Sequence, residues 1–284
     1  MYTLEELLEG LEKIAGDIPS DEEALNFYVE LLKTQNKILE KAREKLREKK
    51  GDIVEKAREA VAKGDPAVAA LGADWIDDEL LADAFTEIGM LVQARRPDDA
   101  EAARAFLAAL GSGAFTLREL AESVLQGRDD IMRGIAAGAN IDAGLVQALV
   151  YWAMQPFMEA LAELLEGKLD LERWNRGVCP VCGSHTRLGY MTGAGNALYL
   201  KCQVCGAEWR FPRVTCPFCG NNESGTVGFY TIDGDKRFRL YECKKCHHYW
   251  KVVDENVAGT LVPRKLYDVW TLKLDHIARE KGLL

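Results

Sequence analysis

The first 178 residues of this 284-residue chain contain no cysteine, and the whole chain has only eight prolines and four histidines. A secreted fold stapled by disulfides would not leave more than half of its length without cysteine, so that class is excluded. The composition, 48% hydrophobic and 29% charged, excludes wholesale disorder and collagen-like repeats. The length predicts more than one domain, because one hydrophobic core seldom organises so many residues.

The chain also lacks a long, uncharged apolar run. Its most apolar stretch, residues 145–165, contains Pro156, Glu159 and Glu163. A bilayer span needs about 20 mostly uncharged apolar residues, so a buried helix explains this stretch better. The first residues have neither the basic region nor the apolar region of a secretory signal. We therefore expect a cytoplasmic protein with no membrane partner.

Apolar side chains recur at helical spacing through residues 1–170, which predicts an all-α domain. Ser20 with Glu23, and Thr116 with Glu119, have the spacing of capping boxes that begin helices. Helices are predicted at about 52–63, 77–95, 98–110, 116–126, 129–137 and 142–166. The character changes after this domain to short β-type runs, at 198–200, 226–232 and 238–242, and a helical pattern returns at 264–281.

All eight cysteines lie in the last third of the chain and form four CxxC pairs of two alternating styles. In one style, glycine follows the second cysteine of a Cys-Pro-x-Cys sequence; in the other, tryptophan stands four residues beyond it. The order of styles shows that one small unit has been duplicated. The pairs are Cys179/Cys182, Cys202/Cys205, Cys216/Cys219 and Cys243/Cys246.

Two residues between thiolates allow a tight turn to direct both sulfurs at one ion, and a tetrahedral site needs two such turns. The pattern predicts two tetrahedral metal sites of four cysteines each, formed by neighbouring pairs along the chain; a crossed pairing stays open because the middle pairs are close. Zinc and iron both accept four thiolates, so spacing does not choose the metal. The predicted ligands are Cys179, Cys182, Cys202 and Cys205 for site 1, and Cys216, Cys219, Cys243 and Cys246 for site 2.

The fold class predicted here is multi-domain: an all-α N-terminal domain, two small rubredoxin-like (zinc-ribbon) metal units, and a C-terminal helix. This helix should dock back on the rest of the protein, because alone it would leave its apolar face in water. The predicted segments are 1–170 for the helical domain, 171–213 and 214–258 for the two metal units, and 259–284 for the C-terminal helix.

Other chemistry receives less support from the sequence. Nucleotide-binding G-x-x-x-x-G-K-[ST], G-x-S-x-G and H-E-x-x-H motifs are absent, and we predict no catalytic residue. A redox role for a CxxC dithiol stays open, although none of the pairs opens an obvious helix after a strand.

Residues 171–258 carry 12 Lys+Arg against 8 Asp+Glu. Each zinc–tetrathiolate site would add about −2, so a nucleic-acid partner is disfavoured. His247 and His248, next to Cys246, are interpreted as solvent-facing.

The cysteine-rich segment resembles the formate dehydrogenase accessory protein FdhE family. The resemblance rests on Cys179-Pro180-Val181-Cys182-Gly183-Ser184, on Cys202-Gln203-Val204-Cys205-Gly206-Ala207-Glu208-Trp209, on Cys216 to Cys219, and on Cys243-Lys244-Lys245-Cys246-His247-His248-Tyr249. It extends to Leu266-Tyr267-Asp268 and Leu274-Asp275, and covers about residues 179–275. Trp250 departs from the family pattern, which has an aliphatic residue there.

This resemblance implies a cytoplasmic accessory factor that assists maturation of respiratory formate dehydrogenase by binding its catalytic subunit. It implies zinc or iron, with iron the metal associated with the family. We expect aromatic and basic residues around the cysteines to contact the partner: Trp209, Arg210, Tyr249, Trp250 and Lys251. An iron–thiolate or dithiol redox protein and a zinc-ribbon nucleic-acid-binding protein remain the alternative hypotheses.

Overall fold

The computed structural model describes residues 2–19, 22–232, 234–259 and 262–284. The chain divides into two compact units, which we call the helical unit and the sheet unit. The helical unit comprises Glu22–Leu169 and Val181–Gly183, and the sheet unit comprises Met1–Asp21, Asp170–Pro180 and Ser184–Leu284. The predicted fold class is confirmed: a helical region precedes two cysteine clusters, a sheet and a C-terminal helix.

The helices agree closely with the apolar periodicity of the sequence. They are α1 (Leu4–Ile14), α2 (Glu22–Glu48), α3 (Lys50–Ala62), α4 (Asp78–Arg95), α5 (Ala100–Gly111), α6 (Leu117–Gln126), α7 (Asp129–Ala139), α8 (Ala143–Leu165), α9 (Glu255–Ala258), α10 (Tyr267–Trp270) and α11 (Leu272–Glu280). The capping box at α6 is present, because the Thr116 hydroxyl accepts from the Glu119 N–H and the Glu119 carboxylate accepts from the Thr116 N–H. The box predicted at Ser20 lies outside the described residues.

Helix α8 lies in the core of the helical unit, with its apolar residues buried along most of its length. It packs against α2. At one point of this contact, Arg43 makes a bidentate ion pair with Glu163 at 2.6 and 2.7 Å. At another, the Gln35 amide donates to the Trp152 carbonyl at 2.9 Å. Within the described residues, no helix combines the length and the apolarity that crossing a membrane requires.

The sheet unit contains a single sheet in which both predicted metal units take part. Its six described strands lie in the order β3-β2-β1-β6-β5-β4. They are β1 (Leu188–Thr192), β2 (Ala197–Lys201), β3 (Glu208–Arg210), β4 (Val227–Ile232), β5 (Asp235–Cys243) and β6 (Tyr249–Asp254). Neighbouring strands are antiparallel except for β1 and β6, which are parallel.

The duplication found in the cysteines also governs this sheet. Each half of the segment runs as cysteine pair, strand, strand, cysteine pair, strand, so β1, β2 and β3 correspond to β4, β5 and β6. In each half the middle strand is flanked by the other two. The halves join head to tail, because the first strand of one half, β1, pairs with the third strand of the other, β6. The sheet therefore ends at β3 on one side and at β4 on the other.

Both chain ends belong to the sheet unit. Asp17, beyond α1, pairs with Arg237 on β5 at 2.9 Å and accepts from the Trp270 indole at 2.9 Å. A Cβ on Gly10 would come within 2.6 Å of a Pro263 side-chain atom, so glycine permits this close approach. The grouping of α1 with the sheet differs from the four segments predicted from the sequence, because these contacts join residues more than 200 positions apart. Those segment boundaries stay a prediction.

Candidate metal centres

The four CxxC turns share one backbone hydrogen bond, although their sequences differ. In each turn the N–H of the first cysteine donates to the carbonyl five residues later, over 2.8 to 3.0 Å. The accepting carbonyls belong to Ser184, Ala207, Asn221 and His248. The closed turn explains the strict spacing, because it fixes where both sulfurs of a pair point.

The residue after the second cysteine adopts a positive φ in every turn. Three turns place glycine there, Gly183, Gly206 and Gly220, with φ between 70° and 76°. The fourth places His247 there, at φ 59°. A Cβ is disfavoured in this left-handed region, so the fourth turn has a conformational cost that the other three avoid.

The first cluster is formed by buried cysteines whose sulfurs converge. The four Sγ atoms lie within 4.8 Å of one another, and the Sγ atoms of Cys179 and Cys205 are 3.5 Å apart. Zinc–sulfur bonds of about 2.3 Å in a tetrahedron place sulfurs about 3.8 Å apart, so this arrangement fits one ion. The members are Cys179, Cys182, Cys202 and Cys205.

The second cluster has the same geometry but reaches the surface. Its Sγ separations include 3.6 Å for Cys216–Cys246 and 3.8 Å for Cys219–Cys243. Cys219 is exposed and Cys246 is half-buried, whereas every cysteine of the first cluster is buried. The members are Cys216, Cys219, Cys243 and Cys246. Cysteines adjacent along the chain thus come together in both clusters, which could each hold a metal ion; ligation itself stays a prediction.

The turn geometry also affects the acidity of the thiols in the second cluster. Burial opposes ionisation of Cys243, but N–H groups of Cys246 and Lys245 stabilise the thiolate more and bring the Cys243 pKa to about 7. Burial raises the pKa of the Cys216 thiol well above its ordinary value. The backbone of the turns is therefore already arranged to accept negative sulfur at one position of the cluster.

The histidines beside the second cluster differ in exposure. His247 is exposed, whereas His248 is half-buried and stacks on Phe218 with ring centroids 4.4 Å apart. His185, from the other half of the segment, stacks on the same ring at 5.7 Å. Solvent-facing placement therefore describes His247 better than His248, whose ring takes part in packing between the two halves.

Five residues predicted to contact a partner are mostly interior in this structure. Trp209, Tyr249, Trp250 and Lys251 have exposed fractions of 5% or less. Arg210 is exposed. Trp250 stacks on Tyr241 at 5.2 Å, and its indole N–H has no hydrogen-bond partner among the described residues. Partner contact stays a prediction for these positions, and of the five only Arg210 offers an exposed side chain.

Lys251 instead occupies the centre of a polar network that the sequence did not suggest. Its ammonium donates to Asp268 and Asp275, each at 2.7 Å. Burial alone would lower the Lys251 pKa, but the two carboxylates outweigh it and raise the pKa, so the side chain is charged. Gln203 donates to Asp268 at 2.7 Å, and Tyr249 donates to Asp275 at 2.8 Å. The network fastens α10 and α11 to β6 and to the second cysteine turn.

Arg264 is the centre of a second network at the other end of the C-terminal segment. It pairs with Glu255 at 2.6 Å and with Glu208 at 3.0 Å, and its guanidinium lies over the Tyr190 ring at 4.0 Å. Burial, together with the neighbouring Glu208, raises the pKa of the Tyr190 phenol. No local pattern marks Arg264, since its partners come from three separate segments. The predicted docking of the C-terminal helix thus takes place on the sheet.

Comparison with known proteins finds a similarity within the cysteine-rich segment. Residues 178–213 match the central domain of FdhE. The chain is 31% identical to the Protein FdhE homolog of Aquifex aeolicus over 134 residues, and this alignment covers 46% of each chain. The chain is 26% identical to the Protein FdhE homolog of Shewanella oneidensis over 155 residues, and this alignment covers 51% of each chain. This chain is similar to FdhE proteins over about half of its length. The matched segments span about half the length of these FdhE relatives.

A solved structure extends the likeness in fold to nearly the whole chain. The crystal structure of the FdhE protein from Pseudomonas aeruginosa aligns with a TM-score of 0.60, covering 99% of this chain and 92% of that chain. The sequence identity is 20%, so this comparison shows the FdhE fold alone.

Proposed function

We propose that this chain is a non-enzymatic accessory factor in the maturation of respiratory formate dehydrogenase, and that it binds the catalytic subunit of that enzyme in the cytoplasm. The match of residues 178–213 to the FdhE central domain carries the proposal. That segment contains the first four cysteines, and the duplicated half supplies four more in the same geometry. The accessory role comes from the FdhE resemblance, and the paired clusters support it.

Each of the two clusters holds one metal ion in this proposal. A bound ion would cross-link two cysteine turns and so stabilise a unit too small for a large apolar core. The sulfur separations of 3.5 to 3.8 Å support such binding without rearrangement of the turns. The residues around the ions then form a rigid surface rather than a reacting centre.

A pulldown tests the proposed partner. The tagged, metal-loaded full chain is incubated with an extract that contains a formate dehydrogenase, and the retained catalytic subunit is identified by mass spectrometry. We expect retention, and a weaker signal for Arg210→Glu than for Arg47→Glu, a matched change of an exposed arginine on α2. Absence of the catalytic subunit from the retained fraction would overturn the proposal.

Elemental analysis and an absorption spectrum of the purified protein decide between the structural proposal and the redox alternative. The exposure of Cys219 is the observation that favours the alternative, because it opens the second cluster to electron exchange. Two equivalents of zinc and no visible absorption exclude iron redox chemistry. An iron–thiolate spectrum with a reversible potential supports the redox alternative instead.

A further inference from the structure

We propose that the outer edge of β4 binds an extended segment of another polypeptide, apolar in its centre and acidic at its ends. The segment would add a strand parallel to β4. The inference goes beyond the proposed function, because it specifies a surface and a ligand chemistry and holds whichever protein supplies the segment.

The internal duplication supplies the first reason. β4 is the first strand of its half, as β1 is of the other half. The edge of β1 that faces away from β2 accepts β6 in parallel register, from Leu188 opposite Lys251 to Met191 opposite Asp254. The corresponding edge of β4 faces away from β5, and no described strand pairs with it. One half of the duplicated sheet thus has a strand at this position and the other half leaves it open.

The second reason is that β4 lacks the charge, the proline and the shortness that usually protect edge strands; its one irregularity is a register shift against β5 between Tyr230 and Ile232. Proteins shield such edges with short strands, charges or proline, because unpaired N–H and C=O groups invite pairing. The opposite edge, β3, has three residues and begins and ends with a charged side chain. β4 has six residues, Val-Gly-Phe-Tyr-Thr-Ile, with no charge and no proline.

The third reason is the exposure of β4. None of its residues is buried, and Phe229 and Tyr230 are 48% and 40% exposed. As neighbours on a strand, these two rings lie on opposite faces of the sheet. Phe229 also begins an aromatic row that continues through Tyr241 to the buried Trp250, with centroids 5.2 Å apart at each step. An added strand would meet an aromatic ring on either face and extend an existing packed row.

Charge specifies the occupant. The register places Lys244 beyond the Val227 end of β4, whereas Lys236 lies on β5 next to Asp235, the residue opposite Ile232. The Lys281 ammonium lies over the Tyr230 ring at 4.6 Å. Lys236, Lys244 and Lys281 are exposed and make no ion pair with a described residue, whereas their neighbours Lys245 and Lys273 pair with Glu223 and Asp235. The carboxylates beside β4 are already engaged, Asp235 by Arg237 and Lys273 and Glu242 by the Tyr230 hydroxyl. In a chain of net charge −9, the remaining lysines favour an incoming segment with acidic ends.

The same features disfavour a second copy of this chain as the occupant. A head-to-tail copy would have to present β3, the strand that corresponds to β6. β3 is half the length of β4, and its Glu208 carboxylate is already engaged by Lys201 and Arg264. Its exposed Arg210 would face the lysines around β4. Like charges at such a seam oppose association.

Titration of the metal-loaded full chain with labelled peptides tests the proposal. The probe is a short synthetic peptide with valine and tyrosine in its centre and glutamate at both ends. Its controls are the same peptide with lysine at the ends and one with alternate backbone nitrogens methylated, which cannot donate to a strand. We expect binding of the first peptide only, with new protection from hydrogen exchange in residues 227–232 and none in 208–210. We expect Lys281→Glu and Phe229→Lys to weaken binding at least about fivefold, and Met90→Lys, an exposed apolar position elsewhere, to leave it unchanged.

Three results would overturn the inference: no binding of the acidic peptide at millimolar concentration, equal binding of the methylated peptide, or a dimer in sedimentation that Phe229→Lys dissociates. If the peptide binds at β4 while the pulldown retains no formate dehydrogenase, the proposed function fails and this inference stands. If the enzyme is retained and the peptide is not bound, this inference fails and the proposed function stands.

Discussion

Replacing Lys251 with methionine is expected to destabilise the sheet unit by about 3 kcal/mol, the lower end of the range for breaking a buried ion pair. The lysine side chain is 1% exposed, and it holds Asp268 and Asp275 at 2.7 Å each. Methionine fills nearly the same volume, so the change removes charge rather than packing. The lower end applies because Asp268 is 45% exposed and water can compensate its carboxylate, whereas Asp275 is only 17% exposed.

A double-mutant cycle isolates this interaction. Asp275→Asn alone should cost about 1–2 kcal/mol, because the charged lysine keeps Asp268. Lys251→Met with Asp275→Asn should cost less than the sum of the single changes, since it leaves no uncompensated carboxylate at position 275 beside the methionine. Urea denaturation of the metal-loaded protein measures all three free energies of unfolding. Lys236→Met, an exposed lysine on β5, is the control and should change stability by less than about 0.5 kcal/mol.

The reasoning would be refuted if Lys251→Met left the free energy of unfolding within experimental error of the original protein, or if the two single changes were additive. The same variant also addresses the contact role predicted from the sequence. A protein that keeps its stability but loses the formate dehydrogenase subunit would show that Lys251 serves partner binding rather than the attachment of the C-terminal helices.

Two further predictions concern the second cluster. His247→Gly should raise the free energy of unfolding by about 0.5–1 kcal/mol, since glycine adopts the left-handed conformation of this position without steric cost. Gly220→Ala should lower the free energy of unfolding for the converse reason. Thermal melting of the metal-loaded proteins measures both changes, and the opposite order of melting temperatures would contradict the prediction. Alkylation of the metal-loaded protein should modify Cys219 first and should release the metal of the second cluster before that of the first. Peptide mass spectrometry measures the modification, and a coloured chelator measures the released metal. Equal modification rates for Cys219 and the buried Cys202 would contradict the prediction.

The cysteine turns were predictable because the information that forms each of them is local. Each CxxC turn closes its own hydrogen bond, and the spacing alone fixes which sulfurs leave the turn together. The helices were predictable for a similar reason, since most bury one periodic face and α8 is apolar along most of its length. The C-terminal pattern at 264–281 was also found, although a break at Thr271 divides it into α10 and α11.

Half of the strands in the described residues were not predicted. β1 reads Leu-Gly-Tyr-Met-Thr, which shows no alternation of apolar and polar residues, and β3 has only three residues. β6 reads Tyr-Trp-Lys-Val-Val-Asp, and all six residues are buried, so neither alternation nor an unbroken apolar run marks it. A buried lysine in a strand looks like a surface residue until its partners are known, and Asp268 and Asp275 lie 17 and 24 positions away on helices.

The sequence by itself determined the helical region and the duplicated cysteine turns, because these depend on residues within a turn or a helix of one another. Only the tertiary structure decided that the two halves share one sheet, that α1 and the C-terminal helices belong to it, and that Lys251 is interior. It also decided that one edge of the sheet is β3, which has charged side chains at both ends, and that the other edge is the uncharged strand β4. Each of these depends on which distant segments meet, and pairing between such segments is set by the packing of the whole unit rather than by any local pattern.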